Sequence, residues 1–423
     1  MIWTGLNVRP VVFWIPLTLF ILIVATSIID ANLFLLVTSH VNDWVLKVFF
    51  NAYAYGAFAL VMTCLIVFVS PLGRVKIGGE NAEPLISRWN WFAITLSTTV
   101  AVGILFWASS EPIYHLYDPG GLDVGAVTEE AAQFAQVSLF MHWAFTPYAI
   151  YTIPGIAFAL AYHNAGLRFS LSSPIELVTH KRMPQAVSDT LDGLGLLAML
   201  LGLSSSLGTG IMSISGGLNY LLGWESNSRI YGVIAFLIVA AFSISSATGL
   251  QKGIRLLSDW NTKFFFLLAG FILLAGPAVD LLCGGEEALF NYATEFIPRS
   301  LVIGDYNDPA WAKSWTIFYW ANWFAWAPLT AMFLGRISRG YTVRAYLIVN
   351  FALPSLFAIA WMTIFGGLAI HVEQGAPGGL KQVLDALGPE GVLYELISRY
   401  PFATAIVICL IVLSFLSYVT AAD

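Results

Sequence analysis

Charge is what this sequence lacks most. Only 10% of its 423 residues are Asp, Glu, Lys or Arg, where a soluble domain carries about 25%. A chain so poor in charge cannot cover a water-facing surface. Cysteine is scarce as well: Cys64, Cys283 and Cys409 lie far apart, which excludes a metal-ligand spacing and a disulfide framework. They read as small hydrophobes. An uncleaved first span rather than a cleavable leader is expected, because the first apolar stretch follows Arg9 and ends without a small-residue cleavage site. There is no basic surplus to suit a nucleic acid, the net charge being −6. The six histidines (His40, His115, His142, His163, His180 and His371) are scattered, so a membrane enzyme with clustered His, Asp and Glu is not expected. No ring of charge or filter-like repeat suggests a channel. His142 alone falls well inside an apolar segment, where a satisfied packing histidine is the expected role.

What is present is apolar length. Hydrophobic residues make up 58% of the chain and the mean hydropathy is +0.78. A bilayer core needs about 20 apolar residues per helix, since no backbone polar group can go unpaired in lipid. Ten segments qualify, at about 10–29, 46–71, 89–110, 133–162, 193–222, 229–248, 262–283, 315–335, 345–371 and 402–422. The chain therefore reads as a single all-α, polytopic transmembrane domain, 1–423. With the N-terminus inside, 13 of the 19 basic residues lie on inner segments, including Arg74, Lys76, Arg168, Lys252, Arg255, Arg336 and Arg339. That placement predicts a cytoplasmic N-terminus and a multi-pass protein of the cell (inner) membrane, in contact with lipid. Phe415-Leu-Ser-Tyr-Val-Thr-Ala-Ala-Asp423 ends inside the last apolar segment, so further spans are expected beyond it.

Four stretches carry chemistry. Ala101–His115 puts Gly103 and paired serines near the end of span 3, where Glu111-Pro112 is expected to stop the helix. Carbonyls freed beside such a break can face a cation, and close packing through Gly103 is the competing reading. At about 100° per residue, Met141–Tyr151 places Trp143, Tyr148 and Tyr151 on one broad helical face. Trp315–Pro328 repeats tryptophan at 320, 323 and 326; four Trp in twelve residues, against 15 in 423, exceed what packing needs. Gly202–Gly217 combines small residues with six hydroxyls. These suit helix packing first, and Na⁺ second, because Ser and Thr also bond back to their own helix.

A quaternary ammonium has no N–H to donate, so aromatic faces must hold it, each desolvated ring contributing about 1–2 kcal/mol. Spans 4 and 8 contain no Asp or Glu, and an acidic partner would be costly to bury there. The cargo expected from these residues is a small cationic or zwitterionic solute.

These motifs resemble the betaine–choline–carnitine transporter (BCCT) family from the first span to the last residue. The resemblance rests on Phe106-Trp-Ala-Ser-Ser-Glu-Pro-Ile-Tyr-His115; His142-Trp143 with Tyr148 and Tyr151; Ser205-Ser-Leu-Gly-Thr-Gly210; and Trp315…Pro328 followed by Gly335-Arg-Ile-Ser-Arg-Gly340. It implies a LeuT-like fold of two inverted five-helix repeats behind two extra N-terminal helices. Spans 3–7 would form repeat one and spans 8–10 part of repeat two, with two spans missing after 423. It implies alternating access, no enzyme activity, no cofactor beyond a coupling Na⁺, and a homotrimer. The family's aromatic box matches Trp143, Tyr148, Tyr151 and Trp323, with Trp326 on the path toward the cytoplasm and Gly103 in the substrate loop. Ser205, Ser206 and Thr420 match Na⁺-site positions. The chain departs from the pattern at Thr99-Val-Ala-Val-Gly103, where the family has Gly-x-Gly-x-Gly. It departs again at Tyr148 for a tryptophan, at Asn322-Trp323 for a double tryptophan, and at Ala421 for a hydroxyl. Proton coupling or exchange of the same cations, and a LeuT-like carrier of an amino acid or other small solute, are the alternatives.

Overall fold

The computed structural model describes residues 9–99, 101–248 and 251–422, without the side chains of 101–102, 246–248, 251–257 and 420–422. Thr420, Lys252, Arg255 and Asp423 of the sequence analysis thus lie outside the described side chains. The described chain is helical, with one isolated antiparallel bridge, Lys76 to Thr342. In order, the helices are α1 (Pro10–Ile29), α2 (Ala31–Val48), α3 (Phe50–Val69), α4 (Arg88–Thr99), α5 (Ala101–Tyr117), α6 (Glu129–Trp143) and α7 (Phe145–Ala159). Next come α8 (Ser173–Thr179), α9 (Gln185–Leu222), α10 (Ser228–Thr248), α11 (Gln251–Ala275), α12 (Ala278–Leu301) and α13 (Pro309–Ser314). The last six are α14 (Thr316–Ile337), α15 (Val343–Leu347), α16 (Leu353–Gly375), α17 (Gly379–Leu387), α18 (Pro389–Ser398) and α19 (Ala403–Ala422).

Among the described residues, six helices are long and apolar enough to cross a bilayer. The number is eight if each of two bent pairs, Arg88–Thr99 with Gly103–Tyr117 and Ser258–Ala275 with Ala278–Leu301, is one span. The other two expected segments are α14 and α19, of which α19 has described side chains only over the apolar stretch 403–419. α1, α3 and α10 expose Ile28, Ile29, Val69, Val233 and Phe236. Apolar side chains so placed need lipid rather than water around them, so this is a multi-pass membrane protein. Helices α2, α12, α17 and α18 occupy stretches that carried no long apolar run.

The chain falls into two compact units. The first comprises Met1–Leu85, Ala149–Ser204 and Ile317–Leu347. Here Ile77 N–H donates to Tyr341 O (2.9 Å), Gly340 N–H to Ile77 O (2.9 Å) and Val343 N–H to Val75 O (2.9 Å). The Asn164 side chain caps this ribbon, accepting from Gly78 N–H and donating to Lys76 O, both at 2.9 Å. Gly340 has φ +86°, and a methyl there would stand 2.3 Å from backbone atoms of Glu83 and Pro84; only glycine fits. In the same unit Gly335 meets the carbonyl of Gly155, and a methyl on Gly335 would lie 2.8 Å from that oxygen and from Phe158 Cδ1. α14 and α7 thus touch backbone to backbone.

The second unit comprises Ile86–Tyr148, Ser205–Thr316 and Ile348–Asp423. Its centre is α5, packed against α6, α16, α18 and α19. Threonine and acid start α6: Thr128 Oγ1 accepts from Ala131 N–H at 3.3 Å, and Glu129 and Glu130 occupy the first turn, where negative charge meets the helix dipole. α18 seats on α9 through Gly216 and Gly217, with Tyr394 OH donating to Ser213 O. Next to this contact Glu390 is buried and its Oε2 has no hydrogen-bond partner. Burial lifts its carboxyl above the ordinary range. The folded state then prefers the protonated acid, so stability falls as pH rises from the unfolded value of about 4.3 through the raised folded value. Glu390→Gln is expected to flatten that slope and to raise the melting temperature at neutral pH, measured by thermal unfolding of the purified protein across pH. An unchanged slope in the variant would show that Glu390 is not its source.

Candidate functional site

α6 ends at Trp143, and Ala144 leaves helical geometry with φ −96° and ψ −116° before α7 begins at Phe145. Pro147 explains the break: it has no N–H for the carbonyl four residues back, Trp143's, and its ring crowds that carbonyl. The single continuous face expected for Trp143, Tyr148 and Tyr151 is therefore corrected. Trp143 closes one helix, while Tyr148 and Tyr151 lie on the next.

In the second unit, Trp143 is buried and lies over Gly103, where a methyl would come within 3.1 Å of its Cη2. The missing side chain of Gly103 makes room for the indole. The Trp143 Nε1–H donates to Glu111 Oε2 at 2.8 Å. Glu111 Oε1 lies 2.6 Å from His142 Nδ1 and 3.2 Å from His115 Nε2, and His142 Nε2 lies 3.0 Å from Thr316 Oγ1. Glu111, His115 and His142 have no exposed surface. These three are metal-ligating residue types within 4.8 Å of one another. Zinc keeps each ligand atom at about 2.0–2.2 Å and so holds them about 3 Å or more apart; an O–N distance of 2.6 Å is a hydrogen bond instead. Tyr148 is buried too, its hydroxyl bonded to Thr99.

The Glu111-Pro112 pair does not stop the helix as expected, since α5 continues through Pro112 to Tyr117. Its packing supports the unpaired carbonyl that proline leaves at Ala108: Gly366 lies against it, and a methyl on Gly366 would be 3.3 Å from Ala108 O and 2.4 Å from Leu139 Cδ1. Sequence reasoning missed Glu111 as Trp143's partner. The available signal was the four-residue spacing of Glu111 and His115, which puts both on one face of α5.

In the first unit, Tyr151 and Trp323 meet edge to face, their ring centroids 6.3 Å apart and their planes at 88°. Trp323 also stacks on Tyr319 at 6.1 Å. Edge-to-face and offset pairs of this kind fix ring orientation. Trp320 is buried completely. Trp326 lies on Gly202, where a methyl would come within 3.0 Å of the indole, so this glycine serves packing, as the small-residue run suggested.

Of the Na⁺ candidates, Ser205 is exposed and Ser206 half-buried on α9, while Thr420 lies outside the described side chains. Neighbouring hydroxyls bond their own helix: Ser204 Oγ donates to Leu200 O at 2.8 Å and Thr209 Oγ1 to Ser205 O at 3.3 Å. Ser204 and Thr209 are thus engaged locally, and the carbonyl of Ser205 is already an acceptor.

The sequence is similar to several characterised transporters. An ectoine/hydroxyectoine transporter of Virgibacillus pantothenticus is 30% identical over 371 residues, 88% of this chain and 74% of that protein. A glycine betaine transporter of Bacillus subtilis (strain 168) is 29% identical over 417 residues, covering 97% and 80%. A glycine betaine/proline/choline transporter of Vibrio parahaemolyticus is 32% identical over 378 residues, covering 86% and 68%. The profile described as "BCCT, betaine/carnitine/choline family transporter" matches residues 11–423. With nearly the whole chain matched, the protein belongs to the betaine/carnitine/choline family, a family of membrane transporters and not of enzymes.

Proposed function

We propose that this chain is a secondary active transporter importing a quaternary ammonium or sulfonium compound, such as glycine betaine, choline or carnitine, by alternating access. The observation that carries the reading is the set of buried rings: Trp143, Tyr148, Tyr151 and Trp323 each keep less than a tenth of their surface exposed. Trp143 and Trp323 are also held in orientation by named partners. Desolvated rings are where cation–π attraction is strongest, about 2 kcal/mol each. Trp326 and Gly103 support the site, through the path and through the room left for Trp143.

Na⁺ is the proposed coupling ion, with Ser205, Ser206 and Thr420 as its candidate ligands. The LeuT-like repeat arrangement, the homotrimer, the inner-membrane location and the cytoplasmic N-terminus belong to the same proposal, supported by family membership and by the placement of basic residues. A second reading, transport of a cyclic zwitterion such as ectoine, is favoured by the name of the Virgibacillus relative.

Purified protein in proteoliposomes tests both. Accumulation of labelled glycine betaine or choline driven by an inward Na⁺ gradient, with mutual displacement among the methylated cations, is the expected result. Ectoine uptake that none of those cations inhibits would favour the second reading. If neither uptake nor displacement occurs with any of them, the substrate class is wrong.

A further inference from the structure

We propose that Glu111 is the positioning residue for the Trp143 ring and that His142 makes its hold respond to protons. The inference rests on the reading of Trp143 as part of the substrate site. It starts from a count of donors and acceptors. An indole N–H only donates, so Glu111 Oε2, at 2.8 Å, accepts. His142 Nδ1 and His115 Nε2 converge on the other oxygen, and all three bonds form together only when the carboxyl is ionised and both ring nitrogens carry hydrogen.

The two imidazoles are not equivalent. His115 Nδ1 is buried and meets no partner. A proton there would be an unpaired buried donor, which is costly, so His115 stays neutral. His142 Nε2 faces the Thr316 hydroxyl at 3.0 Å. A hydroxyl can donate or accept by rotating its hydrogen. The site on His142 Nε2 can therefore be empty or filled by a proton without any heavy atom moving. Filling it takes the Glu111–His115–His142 group from one negative charge to none.

Other charged groups surround this group without substituting for it. Asp118, just past the end of α5, acts on His115. Lys381, Asp385 and Glu390 act on the neighbouring Tyr114, and Tyr117 donates to Glu373 of α16 at 2.6 Å. From α12, Arg299 lies over the Phe134 ring at 4.6 Å and pairs with Glu295 at 2.7 Å. α13 carries Lys313 and is capped by Asp308. Its Trp311 stacks on His142 at 6.1 Å, and Trp315 packs edge-on to His115 at 4.5 Å. The rings of Phe134, Trp311 and Trp315 wall the group, so its own proton count sets the charge behind Trp143.

A permanently charged ligand isolates the effect, because choline has no group that titrates near neutrality. Its affinity for the full chain, compared at pH about 8 and about 5, is expected to be about five- to tenfold weaker once the group carries the added proton. His142→Asn is expected to be pH-independent over that range. Glu111→Gln is expected to be pH-independent too, at the weaker affinity of acidified wild type. Thr316→Val, which removes the hydroxyl facing the added proton, is expected to shift the fall to lower pH. If Glu111→Gln does not fold, wild type, His142→Asn and Thr316→Val still decide the matter.

A readout without substrate separates this proposal from the transport assignment. In protein labelled with 5-fluorotryptophan, the ¹⁹F resonance missing from Trp143→Phe should move with pH in wild type and stay fixed in His142→Asn. If choline binds no form but that resonance titrates as described, the substrate reading fails and the Glu111–His142 assignment stands. A flat choline profile with a flat resonance, or a His142→Asn profile matching wild type, overturns the assignment and leaves the transport reading untouched.

Discussion

Replacing Trp143 with alanine is expected to weaken binding of a quaternary ammonium by about 1–3 kcal/mol, which is about 5- to 150-fold in Kd. Trp323→Ala should fall in the same range. Both rings are buried, so each offers a desolvated π-face, and a methyl group in its place offers none. The losses should differ in kind. Trp323 is held by ring contacts to Tyr151 and Tyr319, and phenylalanine should restore much of its function. Trp143 is held by its N–H to Glu111, which phenylalanine cannot supply, so Trp143→Phe should recover less. Equilibrium binding of radiolabelled choline or glycine betaine to purified protein checks all three. Wild-type affinity in both alanine variants would rule out these rings as the binding surface.

The second large effect concerns folding. Gly335→Val is expected to cost about 2–4 kcal/mol, because the new side chain must enter the space of the Gly155 carbonyl and Phe158, both at 2.8 Å from the first added carbon. A backbone oxygen cannot move aside as a flexible side chain can, so α14 and α7 must separate. The expected readout is a sharply lower melting temperature and a loss of monodisperse protein. Gly232→Ala on α10 is the control, since nothing lies within 4 Å of the added carbon and alanine is the better helix former. A melting temperature equal to wild type in Gly335→Val would refute the close approach.

Much of the membrane-spanning framework was legible because lipid imposes one simple rule, length of apolar run. The helices that escaped sequence reading carry no such run: α12 holds Asp280, Glu286, Glu287 and Glu295, and α17 and α18 are short and mixed. Trp323 stood out through its three-residue repeat, but its edge-to-face contact with Tyr151 joins two different helices and no local pattern announced it. The Glu111–Trp143 bond joins residues 32 positions apart on different helices, which no local pattern encodes. The helix break before Phe145 was encoded, by Pro147, but proline acts on the carbonyl four residues earlier, so the interruption falls between Trp143 and Tyr148 rather than at the proline itself.

The ribbon that joins residues 75–77 to 340–343 sets an order of events during synthesis. Ile77 finds Tyr341 only after about 260 further residues have been made, which at 5–20 residues per second takes about 13–50 s. Throughout that interval the segment after α3 lacks its backbone partner, and until Asn164 is made it lacks that cap too, while earlier helices are already entering the bilayer. A ribosome stalled before codon 340 should therefore hold a nascent chain whose 75–84 loop is cut readily by protease. Release of the finished chain should close it.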